Sequence, residues 1–452
     1  MKRTARAAAS RLFAGKLILA PMVRAGTLPL RLTAIDYGCD TVFSEEIIDR
    51  KIARCSRVEN KVLGTIDFVE LDQSRQNFNV NAKKKKKKRK KEGKVRVTFR
   101  TLPSAEKSRL VFQMGSSNPE YAVQAALKVQ HDVSGIDLNM GCPKKFSVQD
   151  GMGIALLSNG GKIAADILRA IRKNTRPELV ISCKIRLLET QEDTIKLVRN
   201  LADAGAEAIS VHSRLRTETE NDRGDLRWAE VRWISDALSE THPWVIVNVN
   251  GDCFTPEDCA KARELSGASG VMIARAAMEN CSIFAGALGN KMASQEDFMS
   301  HYVKRSLETG NNYQNTKYVL QQALRMRSAR SRPALLQYPG LSPQERKQVL
   351  KQRATKGREI GTSCKSMKDI ADMYGHDVEG AARMLLAERP SCAPSSYTHI
   401  DVVSTLLRLY DNYPPHEYSQ KYLEAQDKEL ETVLENAERR DAKRQKRKEN
   451  AE

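Results

Sequence analysis

The sequence predicts an α/β protein, a (β/α)8 TIM barrel followed by a smaller all-helical domain and a basic C-terminal tail. Three observations carry this. Between residues 17 and 284, short runs rich in Ile, Val and Leu alternate with amphipathic stretches, the pattern of parallel strands buried on both faces. Eight such units in ~270 residues is the count and size of this barrel. From about Gly289 the strand pattern stops and helical stretches follow.

The eight runs lie at 17–20, 41–43, 110–112, 135–138, 179–185, 208–211, 244–247 and 270–273. Pro21-Met22-Val23-Arg24 follows the first, where an open doubly wound sheet would carry G-x-G-x-x-G. Helix starts are written locally. Asn118-Pro119-Glu120 and Thr255-Pro256-Glu257-Asp258 pair a capping residue with proline at the first helical position. The stretch 201–205 (LADAG) reads as a helix running into its glycine stop. The gap between the second and third runs is too long for one helix and holds a β-rich piece at 95–99, an excursion on the barrel rim.

The organisation expected is a basic N-terminal segment (1–15), the barrel (16–288), a helical domain (289–376) and a helical, basic extension (377–452). A disordered lysine-rich insertion is expected at 72–93 within the barrel.

The chain has 452 residues, 75 Lys and Arg against 56 Asp and Glu, and a formal charge of +19. Nine of those charges form one run, KKKKKKRKK at 83–91; the rest of the chain still carries +10. Such a run repels itself and stays solvated; it reads as a loop expansion, a nuclear signal or an RNA contact. A second cluster, RRDAKRQKRK at 439–448, closes the chain. A surplus of this size points to a polyanionic partner. Residues 1–35 contain no acid, a transit-peptide composition, but the first strand run leaves only ~16 residues for one. A cytoplasmic location is expected, with nuclear and mitochondrial alternatives left open.

The nine cysteines include no C-x-x-C pair, and Cys253 and Cys259 are the closest two. This argues against a zinc ribbon, an iron–sulfur cluster or a secreted disulfide framework, and for a reducing compartment; no metal is expected. No window approaches the ~18 apolar residues of a membrane span. A monomer is expected.

In such a barrel the chemistry lies where strands end. Those ends carry Gln113, Asn139 to Lys144, Lys184-Ile185-Arg186, His212-Ser213-Arg214, Asn250-Gly251-Asp252 and Ala274-Arg275-Ala276. The last two follow strands seven and eight, the usual phosphate position of the fold, and Arg275 adds a bidentate donor. Asn250, Gly251, Asp252, Ala274 and Arg275 are therefore expected to hold the phosphate of a cofactor.

LAPMVRAGTLPLRL, FQMG, GIDLNMGCPKKFS, GMGIALLS, CKIRLL, VHSR, VNGD and VMIARAAM stand in this order over residues 16–284. Together they resemble the tRNA-dihydrouridine synthases, most of all the eukaryotic type-2 branch acting at position 20 of the D-loop. The resemblance continues weakly into YQNTKY at 313–318, similar to the family's helical RNA-recognition domain, and into 366–375. It implies an FMN-dependent oxidoreductase, with NADPH as reductant, that reduces the uracil 5,6 double bond in tRNA. The flavin N5 delivers hydride to C6 and Cys142 protonates C5. An ordinary thiol, with a pKa near ~8.5, is mostly protonated at neutral pH and can serve as this acid.

The resemblance implies the other roles as well, and the residue types suit them. Asn139 hydrogen-bonds the uracil edge. Lys184, costly to bury alone, suits the anionic reduced flavin at N1 and O2. His212 also lies on FMN. Gln113 fits the pyrimidine edge of the ring, and Pro21, Met22 and Val23 wall it. Asn250-Gly251-Asp252 stands where many family members have a second glycine. The sequence carries no separate dinucleotide fingerprint, consistent with transient NADPH binding at the flavin face.

After the barrel, an amphipathic helix is expected at 315–327, with Lys304, Arg305, Lys317, Arg325, Arg327, Arg330 and Arg332 available to an RNA backbone. Residues 332–361 look like an insertion. Two other functions compete: an FMN barrel oxidoreductase for a free small molecule such as dihydroorotate, and a non-catalytic RNA-binding protein that kept the fold.

Overall fold

A computed structural model describes residues 2–71, 95–218, 227–324, 342–378 and 380–381. The lysine run at 83–91, Arg325, Arg327, Arg330 and Arg332, the stretch 331–341 and the basic cluster at 439–448 lie outside the described residues.

The strands are β1 (Leu17–Leu19), β2 (Thr41–Phe43), β3 (Ile47–Ile48), β4 (Ser56–Asn60), β5 (Thr65–Leu71), β6 (Val95–Thr101), β7 (Leu110–Gly115), β8 (Gly135–Asn139), β9 (Val180–Leu187), β10 (Ala208–Leu215), β11 (Ile246–Asn250) and β12 (Gly270–Ile273). The helices of the N-terminal half are α1 (Lys2–Phe13), α2 (Leu28–Asp36), α3 (Asp49–Ala53), α4 (Pro103–Glu106), α5 (Pro119–Val129), α6 (Lys145–Gln149) and α7 (Lys162–Asn174). Then come α8 (Gln191–Asp203), α9 (Trp228–Thr241), α10 (Pro256–Ser266), α11 (Arg275–Glu279), α12 (Ile283–Ala287), α13 (Gln295–Glu308), α14 (Tyr313–Leu324), α15 (Pro343–Ser363) and α16 (Met367–Met373).

Eight parallel strands run in the order β2-β1-β12-β11-β10-β9-β8-β7, and β7 pairs back to β2, so the sheet closes without an edge. This is the barrel the sequence predicts, and each of its eight runs is a barrel strand. Five strands extend past the predicted ends, so Gln113, Asn139, His212 and Asn250 sit within β7, β8, β10 and β11 rather than after them, and Lys184 lies within β9. The helix signals hold. The Asn118 side chain accepts hydrogen bonds from the Glu120 and Tyr121 amides, Thr255 and Asp258 form a capping box, and Gly205 (φ +104°) turns the chain out of α8.

The excursion is larger than expected. Besides β6, β4 and β5 complete a three-stranded antiparallel sheet. It is anchored through Phe68, Phe99 and Phe112, with ring centroids 5.4 and 5.1 Å apart.

The N-terminal segment, basic in composition, is built into the barrel floor. Ala5, Ala9, Leu12 and Phe13 of α1 are buried. Phe13 meets Phe43 with centroids 6.2 Å apart, in one cluster with the inward-facing Ile18, Val111, Val180, Ala208 and Met272. The Thr41 hydroxyl donates to the Leu12 carbonyl, and the Arg6 guanidinium lies 3.7 Å from the Trp244 ring centroid.

The helices after the barrel dock against it. Arg305 and His301 of α13 both bind Asp36 at the end of α2 (2.6 and 2.7 Å). Arg100 of β6 pairs with Asp67 and donates to the Thr309 carbonyl (2.8 Å) between α13 and α14. Lys317 donates to the Gly361 and Cys364 carbonyls (2.7 and 2.9 Å), tying α14 to the end of α15. Arg305 and Lys317, expected to face RNA, are thus committed within the protein. Residues 343–363, most of them within the expected insertion, are α15, a packed helix of this domain with Ile360 fully buried.

Candidate active site

Side chains two apart on a barrel strand point the same way. The residues that continue inward above the apolar floor are Gln113, Asp137 and Asn139, then Ser182, Lys184 and Arg186, then Ser210 and His212, and then Asn248 and Asn250. Their register runs Gln113↔Asp137↔Ser182 and Asn139↔Lys184↔Ser210↔Asn248. The lumen is therefore apolar where α1 enters and polar at the C-terminal mouth.

A hydrogen-bonded chain crosses three strands and ends at the cysteine loop. Ser182 donates to Asp137 (2.7 Å), and Gln113 Nε2 donates to the other Asp137 oxygen (2.9 Å). With its amide so oriented, Gln113 Oε1 accepts from Asn139 Nδ2 (3.2 Å). Asn139 Oδ1 then accepts from the backbone N–H groups of Gly141 and Cys142 (2.9 and 3.0 Å). Burial pushes the Asp137 carboxyl up to about 6, against the pull of Gln113, Ser182 and Lys184.

The cysteine loop is clamped from the other side by the glycine motif downstream. Gly153 has φ +60°, and a Cβ there would come within 2.4 Å of the Cys142 carbonyl oxygen, so the approach requires glycine. Ile154 N–H donates to that same oxygen (3.1 Å). Arg186 Nε donates to the Gly141 carbonyl (3.0 Å). Cys142 itself is half-buried. Burial pushes its thiol up, the nearby Glu46 carboxylate adds to this, and Lys144 and Ser147 only partly oppose them.

Lys184 and His212 are two lumen side chains without a protein partner among the described residues. Among the described residues neither side chain makes a hydrogen bond or ion pair. Burial and the charge of Arg186 bring the Lys184 ammonium down to about 8, opposed by Asp137. Burial, then Lys184, Arg186, Arg214 and Arg275, hold His212 well below its ordinary value, so the ring is neutral.

The two predicted phosphate turns meet. Asn250 Nδ2 donates to the Met272 carbonyl (2.8 Å), bridging β11 to β12. Gly251 (φ +133°) lets the chain pass His212, whose ring would lie 3.3 Å from a Cβ there. Asp252 pairs with Arg214 (3.0 Å) and with Arg275, leaving an excess of positive charge. Ala274 is the residue just before α11, and Arg275 opens that helix. Asn250 and Asp252 thus spend their side chains on the protein, which leaves backbone N–H groups and arginines to face a ligand. Ala20 is fully buried beneath the mouth, Pro21 and Met22 are partly buried beside it, and Val23 is exposed at its rim.

A model of the dihydrouridine synthase (Dus) family matches residues 87–373, well over half of the chain. The chain belongs to the dihydrouridine synthase family. It is 38% identical over 316 residues to the tRNA-dihydrouridine(20) synthase (NAD(P)+) of Schizosaccharomyces pombe, covering 69% of this chain and 60% of that protein. To the Saccharomyces cerevisiae protein of the same name it is 45% identical over 214 residues, covering 46% of this chain and 50% of that one. A second S. cerevisiae protein, the tRNA-dihydrouridine(20a/20b) synthase, is 28% identical over 269 residues, covering 60% of this chain and 62% of its own length. The chain thus spans between half and two thirds of the length of these synthases.

All the predicted site residues gather at this one mouth, Val23 at its outer rim. Sequence reading passed over Asp137, Ser182, Ser210, Asn248 and Glu46. For the first four the signal was a polar residue inside an otherwise apolar strand, as in GIDLN and VISCK.

Proposed function

We propose that the chain is an FMN-dependent tRNA-dihydrouridine synthase that uses NADPH to reduce the 5,6 double bond of a D-loop uridine, at position 20. The observation that carries this is a thiol, Cys142, on a clamped loop at the polar mouth that also holds a lysine and a histidine with no partner among the described residues.

The mouth suits a flavin mononucleotide. Lys184 would hold the ring at N1 and O2, Gln113 its pyrimidine edge and His212 a further polar atom. Met22, with Pro21 and Val23, would wall the ring, and the turns at 250–252 and 274–275 would take the phosphate. When bound, the flavin supplies the hydride. Cys142 then donates its S–H proton to uracil C5, and Asn139, whose second amide hydrogen remains open, meets the uracil edge. General acid catalysis of this kind is worth ~10²–10⁴-fold.

A substrate larger than a free base fits the surroundings. Asn315 of α14 donates to the Arg24 carbonyl (2.6 Å), and the Arg24 guanidinium lies 4.2 Å from the Tyr318 centroid. The helical domain thereby stands on the loop that carries Pro21 to Val23. A cytoplasmic location and a monomeric state belong to the same proposal. Purified protein should bind FMN and turn yellow, and Cys142→Ala should keep the flavin while losing at least about 100-fold in reduction of unmodified tRNA, an order-of-magnitude expectation for a lost general acid. A colourless protein, or NADPH oxidation stimulated by free pyrimidine and not by tRNA, would overturn the reading.

A further inference from the structure

The second barrel strand is broken, and the break points at the cysteine. Along β7, β2 pairs through Val42↔Leu110 and Phe43↔Val111, and β3 resumes at Ile47↔Met114 and Ile48↔Gly115. Ser44 fills the gap in the ladder: its N–H donates to the Val111 carbonyl and its hydroxyl accepts from the Gln113 N–H (3.0 Å). Glu45 accepts from the Arg24 N–H (2.7 Å). Glu46, next in the gap, has a buried Oε1 that receives no N–H or O–H from the described residues.

Two glycines make room for it. A Cβ at Gly115 would lie 2.8 Å from Glu46 Oε1 and 3.4 Å from Met152 Sδ. A Cβ at Gly153, the residue after Met152, would lie 3.1 Å from the Cys142 Cβ. The Glu46 carboxyl thus packs against Gly115 and Met152, and Cys142 packs against Gly153, the residue after Met152, which brings the two groups into one neighbourhood where each acts on the other.

We infer that Glu46 is a positioning residue for the proton donor: its carboxylate faces the Cys142 thiol and keeps the proton on sulfur until the uridine is in place. The inference rests on the proton-donor role of Cys142 proposed above. The charged groups around the pair are Glu46, Lys144 and Lys184, with the Ser147 hydroxyl also against the sulfur. Glu46 is the one negative charge among those acting on the thiol, and the two lysines pull the other way. Burial pushes the Glu46 carboxyl up, with Cys142 and Lys144 opposing it. Without this carboxylate burial would still hold the proton on sulfur, but less firmly, and the nearby cations would raise the share of thiolate, which is a nucleophile and no longer an acid.

The test needs neither tRNA nor flavin turnover. Apoprotein is alkylated with iodoacetamide across a pH series, and modification at Cys142 is read by peptide mass spectrometry. In Glu46→Gln the Cys142 profile should move to lower pH. A thiol that titrates one pH unit lower holds about tenfold more thiolate at neutral pH, so alkylation at pH ~7 should quicken several-fold. Glu46→Asp, which withdraws the carboxylate by one methylene, should move the profile the same way by less. It carries the test should Glu46→Gln fail to fold, with FMN binding as the check on folding. An unmoved or upward-moved profile in folded protein would overturn the inference. Full tRNA reduction by Cys142→Ala would instead remove the proton-donor reading and leave the alkylation result standing.

Discussion

Lys184 carries a lumen charge without an ion-pair partner among the described residues, and this makes it a pH-sensitive anchor. Its ammonium, brought down to about 8, is charged below that pH and loses its charge as pH rises through it. FMN affinity of the apoprotein, followed by flavin fluorescence quenching, should therefore hold steady below pH 8 and fall above it. Lys184→Met should weaken binding about tenfold or more, as expected for loss of a charged hydrogen bond, and abolish the alkaline fall. A flat profile in the native protein would contradict this role. The residues nearest the chemistry were legible in the sequence because Gln113, Asn139, Cys142, Lys184 and His212 stand at or near the ends of apolar runs. Asp137 and Ser182 were not. Barrel strands are buried on both faces, so no alternation marks which side faces the lumen. The partnership of Glu46 with Cys142 joins residues 96 apart in number and depends on a strand break that no local pattern announces.

At the scale of elements, local signals proved reliable and long-range ones did not. Caps such as Asn118, Thr255 and Ser366 act within four residues, and the helices begin where those residues stand. The strands β4 and β5 escaped because SRVEN and TIDFVEL alternate charged and apolar residues inside a long polar gap. They belong to an added antiparallel sheet and carry charged residues, such as the buried Asp67, inside it, unlike the continuous apolar runs of the barrel. Helix α1 was set apart by its arginines. Its Ala, Leu and Phe face is what closes the floor, and composition alone conceals a stripe at helical spacing. Phe13→Ala should cost about 3–5 kcal/mol in urea unfolding, the usual range for a fully buried phenylalanine. Arg11→Ala, on the exposed side of the same helix, should stay within about 0.5 kcal/mol. Equal effects would mean that α1 is not a core element.

For the whole molecule, the +19 charge divides into parts with different work. Nine positive charges belong to the run at 83–91. Arg305, Lys317, Arg100 and Arg31 hold domains and elements together through Asp36, backbone carbonyls, Asp67 and Glu106. Arg186, Arg214 and Arg275 ring the mouth and keep His212 neutral. The exposed Lys304, Lys351 and Arg358 of the helical domain remain available to a polyanion. The architecture is a barrel whose polar mouth holds one protonated thiol, with helices standing on the adjacent loop.

The proposed role of this thiol is to protonate a uridine within tRNA as the flavin hydride reduces it. The measurement that tests it most directly is site-resolved dihydrouridine mapping of unmodified tRNA incubated with the protein, FMN and NADPH, beside the Cys142→Ala variant. Dihydrouridine should appear at position 20 of the D-loop with the native protein, and at a level lower by about 100-fold or more with the variant. Unmodified tRNA in both reactions, or equal modification in both, would contradict it.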